Sequence, residues 1–402
     1  MVGTAASRRA LILVTGLFFL WGVANNLNDV LIAHFRHAFT LTDFQSGLVQ
    51  SAFYLGYFCF AIPAALTMTR FGYKAGVITG LCLFGTGAVL FWPAALALSY
   101  PMFLIALFVI ASGLSFLETA ANPMVATLGP PEAAERRLNF AQSFNPLGSI
   151  TGVALGATLI LPATAGEGPD TVSNVLLPYS LIAAVVLLWA LLLARTPFPA
   201  IATEERSAHP LADFAALFRR PRYLAGVFAQ FAYVGAQVGV WSYLIRYVEV
   251  ALPQLSQREA AWLLTFSLVL FMAGRFIGTA LLTRVRGARL MLLFAGIDTL
   301  LCLIGALLGH GAGVGALVAT SFFMSIMFPT IFVLALRDLG PLTKSGSAML
   351  VMAIIGGAAF TALMGLVSDA SHSILTAMLV PAGCFLVVGL FAMLHLRDRP
   401  AQ

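Results

Sequence analysis

The sequence predicts an all-α integral membrane protein with twelve transmembrane helices in two six-helix bundles. Of its 402 residues, 60% are hydrophobic and only 9% are charged, and the mean hydropathy is +0.95. A soluble domain carries about 25% charged residues, so this chain has too few to cover a water-facing surface. Its apolar residues also form continuous blocks of the length that a bilayer-spanning helix needs, about 20 residues.

Each apolar block is interpreted as a helix, because a helix satisfies its own backbone hydrogen bonds inside lipid. A transmembrane barrel would show short segments of alternating hydropathy instead. In the first half of the chain the predicted spans are 11–36, 44–69, 75–98, 101–128, 138–162 and 173–195. In the second half they are 222–248, 259–283, 289–309, 313–336, 346–368 and 374–395.

One long polar stretch divides the chain in the middle, at about residues 196–221. It predicts a cytoplasmic linker between an N-terminal six-helix bundle, 1–195, and a C-terminal six-helix bundle, 222–402. Two parallel repeats related by an axis along the membrane normal are a known transporter architecture.

The basic residues predict the orientation in the membrane. With the N-terminus inside, eighteen of the 22 Lys and Arg residues fall on the inner side, three fall outside, and Arg275 lies within a span. Because basic loops stay in the cytoplasm, both termini are expected there, in a multi-pass protein of a bacterial-type inner membrane. The same bias accounts for the pI of about 9.4 without nucleic-acid binding. The first span lacks a cleavage site and is expected to remain uncleaved.

Catalytic and metal chemistry have little support in the sequence. The four cysteines all lie in apolar blocks and are interpreted as small apolar fillers. The six histidines lie near span ends and loops and do not group with a nucleophile or with metal ligands. We therefore expect no enzyme and no metal site; a membrane enzyme and a sugar receptor without transport are the weaker alternatives.

Charged residues inside the predicted spans are the first functional candidates. A charge at mid-bilayer costs about 2.5–3.5 kcal/mol on insertion scales, so such residues face protein or water. Asp29 shares one helix face with Asn25 and Asn28. Glu118 has no Lys or Arg in its helix, so it can be protonated near neutral pH. Asp29 and Glu118 are predicted proton-coupling residues, with a structural polar contact as the alternative for each.

Amides and aromatic rings in the spans suggest a site for a neutral, hydroxyl-rich solute. Amides both donate to and accept from hydroxyls, and a ring face packs on the apolar side of a pyranose. Polar contacts between helices and simple packing are the competing interpretations. The predicted substrate-binding residues are Asn25, Asn28, Asn122, Gln142, Asn145, Gln230, Tyr233, Gln237 and Trp241.

Three basic residues are predicted to act in gating. Arg70 and Lys74 belong to the basic turn after the second span, and Arg275 lies near the cytoplasmic end of the eighth. For Arg275, a side chain that snorkels to the surface is the alternative. Asp298, isolated in the apolar ninth span, is predicted to be a capped structural carboxyl, with a coupling site as the alternative.

Seven segments resemble a known family, and FLETAANP and WSYLIRY are the specific ones. The segments are FQSGLVQSAFYLGYF (44–58), RFGYKAG (70–76), FLETAANP (116–123), RLNFAQSFN (137–145), YVGAQVGVWSYLIRY (233–247), SIMFPTIF (325–332) and GSAMLVMAIIGG (346–357). In them, and over nearly the whole chain, the sequence resembles the L-fucose–proton symporter family of the major facilitator superfamily.

The resemblance implies the major facilitator fold and a proton-driven importer of hexoses or deoxyhexoses that works by rocker-switch alternating access. It implies that the family's two membrane carboxylates fall on Asp29 and Glu118, and its fifth-helix cavity amides on Gln142 and Asn145. The proton is then the coupling ion, with no other cofactor. The expected partners are a small sugar and the bilayer, for a monomer that binds no nucleic acid.

The sugar stays open on this resemblance. The stretch NNLND (25–29) is richer in asparagine than in the family's fucose transporter. Other branches of the family take glucose, galactose, fructose or N-acetylglucosamine. A proton-coupled exporter of drugs or metabolites on the same fold, and a sodium-coupled sugar carrier, are the alternative functions.

Overall fold

A computed structural model of the chain describes residues 12–24, 27, 31, 35, 39, 43–127, 130–160, 173–196, 210–255 and 257–396. Across these residues the chain forms helices joined by short turns, and no strand occurs in them. The all-α architecture predicted from the sequence is confirmed.

The helices follow one another closely along the chain. The first half forms α1 (Ile12–Ala24), α2 (Asp43–Phe71), α3 (Tyr73–Val89), α4 (Phe91–Leu96), α5 (Tyr100–Thr127), α6 (Ala134–Gln142), α7 (Phe144–Leu159) and α8 (Leu176–Arg195). The second half forms α9 (Pro210–Leu217), α10 (Pro221–Ala251), α11 (Gln257–Leu281), α12 (Gly287–Leu308), α13 (His310–Met324), α14 (Met327–Leu336), α15 (Thr343–Met352), α16 (Gly356–Ser371) and α17 (Leu379–Leu394).

Ten helical stretches in the described part of the chain are long and apolar enough to cross a membrane. They coincide with ten of the predicted spans, all except the first and the fifth. The first span is represented by α1, which is shorter, and the fifth is divided into α6 and α7 at Ser143. The ten stretches are Ala52–Phe71, Tyr73–Leu96, Tyr100–Thr127, Ser173–Arg195, Pro221–Ala251, Glu259–Leu281, Gly287–Leu308, His310–Leu336, Gly340–Ser371 and Thr376–Leu394.

Exposed apolar side chains show which helices face lipid. On α8, Leu177, Leu181 and Leu188 are each more than half exposed, whereas most of α5 from Ala106 to Val125 is buried. An exposed leucine face of this size is stable only against an apolar solvent. The chain is therefore a multi-pass membrane protein in which α8 is peripheral and α5 is central.

One compact unit contains Met1–Gly129, Phe144–Asp213 and Gly340–Met352. At its centre, α5 packs against α2 and α3, and α3 also packs against α8. A Cβ atom on Gly113 of α5 would collide with the backbone of Gly80 and Phe84 on α3, so glycine allows these two helices to approach closely. The short helix α15, from the second half of the sequence, packs in this unit against α2 and α5.

The second compact unit contains Pro130–Ser143, Phe214–Leu339 and Ala353–Gln402. Here α10 packs against α13, α14, α16 and α17, while α12 packs against α13 and α17. The short helix α6, from the first half of the sequence, packs in this unit against α11 and α14. The predicted boundaries at 195 and 222 stay a prediction, since contacts group α6 and α15 with helices of the opposite half of the sequence.

Pro123 leaves one backbone carbonyl inside α5 without a hydrogen-bond donor. A proline has no N–H, so it leaves the carbonyl four residues earlier, that of Thr119, without its helical donor. The Ser347 hydroxyl of α15 donates to this carbonyl at 2.7 Å, and Ser347 is fully buried. In lipid a released carbonyl has to find a donor inside the protein, and here that donor comes from 228 residues away in the sequence.

Ser347→Ala is expected to lower the free energy of unfolding by about 1–2 kcal/mol, because it leaves the buried Thr119 carbonyl without a donor. The measurement is thermal or denaturant unfolding of the purified protein. Ser371→Ala, which removes an exposed hydroxyl from the end of α16, is the control and should change stability little.

A double-mutant cycle isolates this interaction. Pro123→Ala restores an N–H that can bond the Thr119 carbonyl, so Ser347→Ala should cost less in the Pro123→Ala background than alone. Equal costs in both backgrounds would show that Ser347 does not satisfy a carbonyl released by Pro123.

Candidate functional site

Three of the predicted site residues, Asn25, Asn28 and Asp29, lie outside the described residues. The helix that leads to them, α1, is held by α7. A Cβ on Gly22, Gly148 or Gly152 would meet backbone atoms of the opposite helix, so the two backbones lie very close together. Asn145 of α7 adds a hydrogen bond, since its Nδ2 donates to the Phe18 carbonyl at 3.3 Å.

Glu118 lies in the buried middle of α5 in the first unit. Its side chain is 2% exposed, and Asn122, one helical turn further on, interacts with the carboxyl group. The Oε2 atom has no hydrogen-bond partner, and Glu118 forms no ion pair, within the described residues. A carboxyl group with this much unused bonding capacity at the centre of a membrane bundle is a candidate site for a proton or for a polar ligand.

The predicted site residues of α10, in the second unit, differ in whether their polar atoms have hydrogen-bond partners. Gln230 is fully buried, and neither its Oε1 nor its Nε2 has a partner within the described residues. Tyr233 is also fully buried, but its hydroxyl donates to the Met324 carbonyl at 3.0 Å. Met324 ends α13 just before the break that precedes Pro329, so this tyrosine satisfies a helix terminus.

Gln237 and Trp241 lie further along α10 and are half-buried. The Trp241 indole N–H donates to the Ser321 hydroxyl at 3.0 Å, and Ser321 in turn is hydrogen-bonded to Ser267 of α11. The interleaved glycines Gly235 and Gly239 have a packing role, because a Cβ on either would meet a side chain of α16.

Arg275 of α11 connects the aromatic residues to Gln142. The Trp241 ring meets the Phe271 ring edge-on at 5.1 Å, and the Arg275 guanidinium lies 4.8 Å from the Phe271 centroid. Arg275 Nη1 donates to the Gln142 Oε1 at 3.0 Å and to the Gln142 carbonyl at 3.4 Å. Its side chain is only 4% exposed, so it does not snorkel to the surface.

The hydrogen bond from Arg275 to the Gln142 carbonyl, like that from Ser347 to the Thr119 carbonyl, is made to a carbonyl four residues before a proline. Pro146 follows four residues after Gln142, so in a continuous helix it would leave this carbonyl without a donor. The chain breaks between α6 and α7 at this point, and Arg275, 133 residues later, provides the missing donor. The Gln142 side chain is thereby engaged as well.

Of the other basic residues predicted to act in gating, Lys74 has a visible structural role. Its Nζ donates to the Ala194 and Thr196 carbonyls at 2.8 and 3.0 Å, which caps the C-terminus of α8. Arg70 is exposed, and its guanidinium lies 5.0 Å from the Phe71 ring.

Several polar contacts around α6 were missed by sequence reasoning. Arg337 pairs with Glu135 at 3.2 Å, and Asn139 Nδ2 donates to the Glu135 carbonyl and, at 3.4 Å, to the Thr330 hydroxyl. Burial raises the pKa of Glu135, against the opposing effects of Arg337 and of the hydrogen bond from the Gly287 N–H. No sequence signal links these residues, since they come together only through tertiary packing.

This polytopic helical structure, with polar side chains in its buried spans, defines a membrane transporter of one large class. The sequence matches the Major Facilitator Superfamily over residues 13–362, and the chain belongs to that superfamily.

Named relatives make the placement finer. The chain is 48% identical over 400 residues to the L-fucose-proton symporter of Escherichia coli (strain K12), covering 94% of this chain and 91% of that protein. It is 37% identical over 388 residues to the glucose/galactose transporter of Brucella abortus biovar 1 (strain 9-941), covering 96% and 93% of the two chains. The family resemblance found in the sequence segments is confirmed.

Solved structures agree. The structure of FucP, a Major Facilitator Superfamily transporter in the outward conformation, matches with a TM-score of 0.89 and 46% identity, covering 98% of this chain and 100% of that one. The proton:xylose symporter XylE matches with a TM-score of 0.75 at 14% identity, covering 98% and 96%, which shows the shared fold. The major facilitator fold predicted from the sequence is confirmed.

Asp298 in α12 departs from its prediction. It is fully buried, and the expected cap is absent within the described residues, because neither carboxyl oxygen has a hydrogen-bond partner there. An ionised Asp298 would leave a buried charge uncompensated, at a cost of several kcal/mol.

Asp298→Asn and Asp298→Leu are therefore expected to keep thermal stability or to raise it, by about 1–3 kcal/mol for the leucine variant, which removes the unpaired polar atoms. Unfolding of the purified variants measures this. A loss of stability in both variants would mean that the carboxyl group has a partner in the folded protein.

Proposed function

We propose that this chain is a proton-coupled symporter that imports a neutral hexose or deoxyhexose by alternating access. The observation that carries the proposal is Glu118, a carboxyl group 2% exposed in the centre of α5 with one oxygen unpartnered within the described residues. Because a membrane charge without a counterion is costly, protonation of this group changes the free energy of closing the bundle around it. Asp29 is the second proposed proton-coupling residue.

The proposed sugar contacts are amides and two aromatic rings. Asn122 and Asn145 belong to the first unit, whereas Gln230, Gln237 and Trp241 belong to the second. Gln230 is the most informative of these, because a buried amide with both polar atoms unpartnered within the described residues has full capacity for a hydroxyl-rich ligand.

Gln142 and Tyr233 remain proposed contacts, although Gln142 Oε1 and the Tyr233 hydroxyl already bond within the protein.

Relatives narrow the substrate. The symporter of Escherichia coli is named for L-fucose and protons, and the Brucella transporter for glucose and galactose. All three sugars are neutral, so the shared chemistry is a polyhydroxyl ring that matches amide donors and acceptors. An exporter of lipophilic cations would instead need an apolar lining with acidic groups.

The exchanged helices support alternating access. Each half of the sequence provides one short helix, α6 or α15, to the unit built mainly by the other half. Individual hydrogen bonds between membrane helices contribute only about 1 kcal/mol. We propose that these contacts, including the pair of Arg275 with Gln142, break and re-form as access alternates. Arg70 and Lys74 remain proposed gating residues.

The proposal also covers orientation, domain organisation and coupling, and its orientation rests on the basic-residue bias. Both termini lie in the cytoplasm of a bacterial-type inner membrane, and the domains are 1–195 and 222–402, joined by the linker 196–221. The protein works as a monomer, with the proton as coupling ion. It performs no enzymatic reaction, uses no other cofactor and binds no nucleic acid.

Glu118→Gln is expected to abolish accumulation of sugar against its gradient, because a permanently neutral amide cannot exchange a proton. Sugar counterflow, which needs binding and reorientation alone, should persist. The measurement is uptake into proteoliposomes under an imposed pH gradient. Asp369→Asn, which neutralises an exposed carboxyl group at the end of α16, is the matched control and should leave accumulation unchanged.

Continued proton-driven accumulation by Glu118→Gln would remove this residue from the coupling mechanism. Replacement of sodium by choline tests the sodium-coupled alternative, which predicts that uptake stops. The direction of net flux of labelled sugar under an inward proton gradient tests the exporter alternative, which predicts efflux.

The substrate is expected to be the sugar that elicits proton uptake when added to an unenergised preparation. A panel of L-fucose, galactose, glucose, fructose, mannose and N-acetylglucosamine, recorded with a pH electrode, should give a signal for one sugar or a small related group. Alkalinisation by none of them would contradict sugar–proton symport.

A further inference from the structure

A basic cavity lies in the second unit where α10 begins and where α14 and α17 end. Its volume is about 490 Å³, which is within the range of small-ligand pockets, about 300–1,000 Å³. Its charged and titratable lining residues are Arg219, Arg220, Arg222, Arg337, Asp338 and His395. We call it the arginine cavity.

The lining has a strong excess of positive charge. Four arginines line the arginine cavity, and Asp338 is the one carboxylate among its lining residues; Glu135, outside the lining, pairs with Arg337. A planar guanidinium donates two parallel hydrogen bonds to a phosphate, and it stays charged at any physiological pH. The lining therefore fits an anion with several acceptor oxygens.

The cavity walls are fixed by contacts of their own. Arg220 Nη1 donates to the Asp338 carbonyl at 3.2 Å, and Arg337 pairs with Glu135 at 3.2 Å. His395 is 7% exposed, and its Nδ1 lies 3.1 Å from the Phe391 carbonyl. Arg219, Arg220 and Arg222 are exposed, and all three line the cavity. The contacts of Arg220 and Arg337 thus hold two parts of the wall in place.

The start of α10 adds to the positive field. Arg220 is its N-cap residue and forms no side-chain cap, and Pro221 follows at the first helical position. The first N–H groups of a helix lack partners within the helix and carry the positive end of its dipole. Here that end lies at the arginine cavity, which Pro221, Arg222 and Tyr223 line.

We propose that the arginine cavity binds a phosphate group. With the orientation proposed above, it opens at the cytoplasmic surface, where two sources exist: the headgroup of an anionic phospholipid in the inner leaflet, and a free phosphate. Basic pockets between transmembrane helices on this side of a membrane are suited to anionic headgroups. The inference uses the proposed orientation and does not depend on sugar–proton coupling.

The test compares two double variants of the full-length protein. Arg219→Gln/Arg222→Gln removes two charges from the lining of the arginine cavity. Arg284→Gln/Arg286→Gln removes two charges from the exposed basic turn between α11 and α12, outside the cavity lining. Arg219→Lys/Arg222→Lys keeps the charge and loses the planar geometry. Monodisperse elution and an unfolding temperature near that of the parent protein establish that each variant is folded.

Native mass spectrometry with phosphatidylglycerol, cardiolipin and phosphatidylethanolamine measures lipid retention. At about 1 kcal/mol per basic residue, the cavity variant should bind the anionic lipids about thirtyfold more weakly. The turn variant should match the parent protein, and the lysine variant should fall in between. Thermal unfolding with inorganic phosphate alone forms the second arm.

The two arms separate the sources. Retention of anionic lipid that depends on Arg219 and Arg222 and resists inorganic phosphate identifies a headgroup site. Stabilisation by inorganic phosphate that the cavity variant loses identifies a site for free phosphate. Equal losses in the cavity and turn variants, or no dependence on Arg219 and Arg222 in either arm, would overturn the proposal. Sugar uptake by the cavity variant, measured separately, keeps this result distinct from that of the proposed function.

Discussion

The structure depends on one constraint: inside lipid, a backbone carbonyl released by a proline or a helix break has to find its donor within the protein. Three buried carbonyls show how the chain meets it. Thr119, released by Pro123, accepts from Ser347, and Gln142, released at Pro146, accepts from Arg275. Met324, at the end of α13, accepts from Tyr233. Each of these three irregular points is thereby also a point of attachment between helices.

These attachments help to explain the division into units. Ser347 fixes α15 beside α5, and Arg275 fixes the end of α6 beside α11. In both cases donor and acceptor come from opposite halves of the sequence. A single hydrogen bond of this kind is worth about 1 kcal/mol, which is enough to select a packing arrangement and small enough to be exchanged for another. A transporter needs contacts in this range, because its two access states must have similar free energies.

Not all buried polar groups have hydrogen-bond partners within the described residues, and two of the exceptions are proposed site residues. Glu118 has an unpartnered oxygen, and Gln230 has two unpartnered polar atoms. Trp241 and Tyr233, which the sequence marks equally strongly, already have partners. Unused bonding capacity therefore distinguishes among the proposed proton and sugar contacts, which polarity alone does not. Asp298 also has unpartnered carboxyl oxygens within the described residues. Unlike Glu118, it has no amide one helical turn further on, so it is the weaker candidate for proton coupling.

The sequence alone determined that the protein lies in a lipid bilayer, that it is helical and where its spans are, because these depend on hydropathy summed over about 20 residues. It also identified Glu118, which stands out as a charge in an apolar block. From Pro123 and Pro146 it determines which carbonyls are released, since that relation spans four residues. Only the tertiary structure decided which side chains satisfy them, because Ser347 and Arg275 lie 228 and 133 residues away from their acceptors. No local pattern encodes such a pairing. At the arginine cavity, Arg219, Arg220 and Arg222 are neighbours in the sequence, and only the tertiary structure decided that Arg337 joins them.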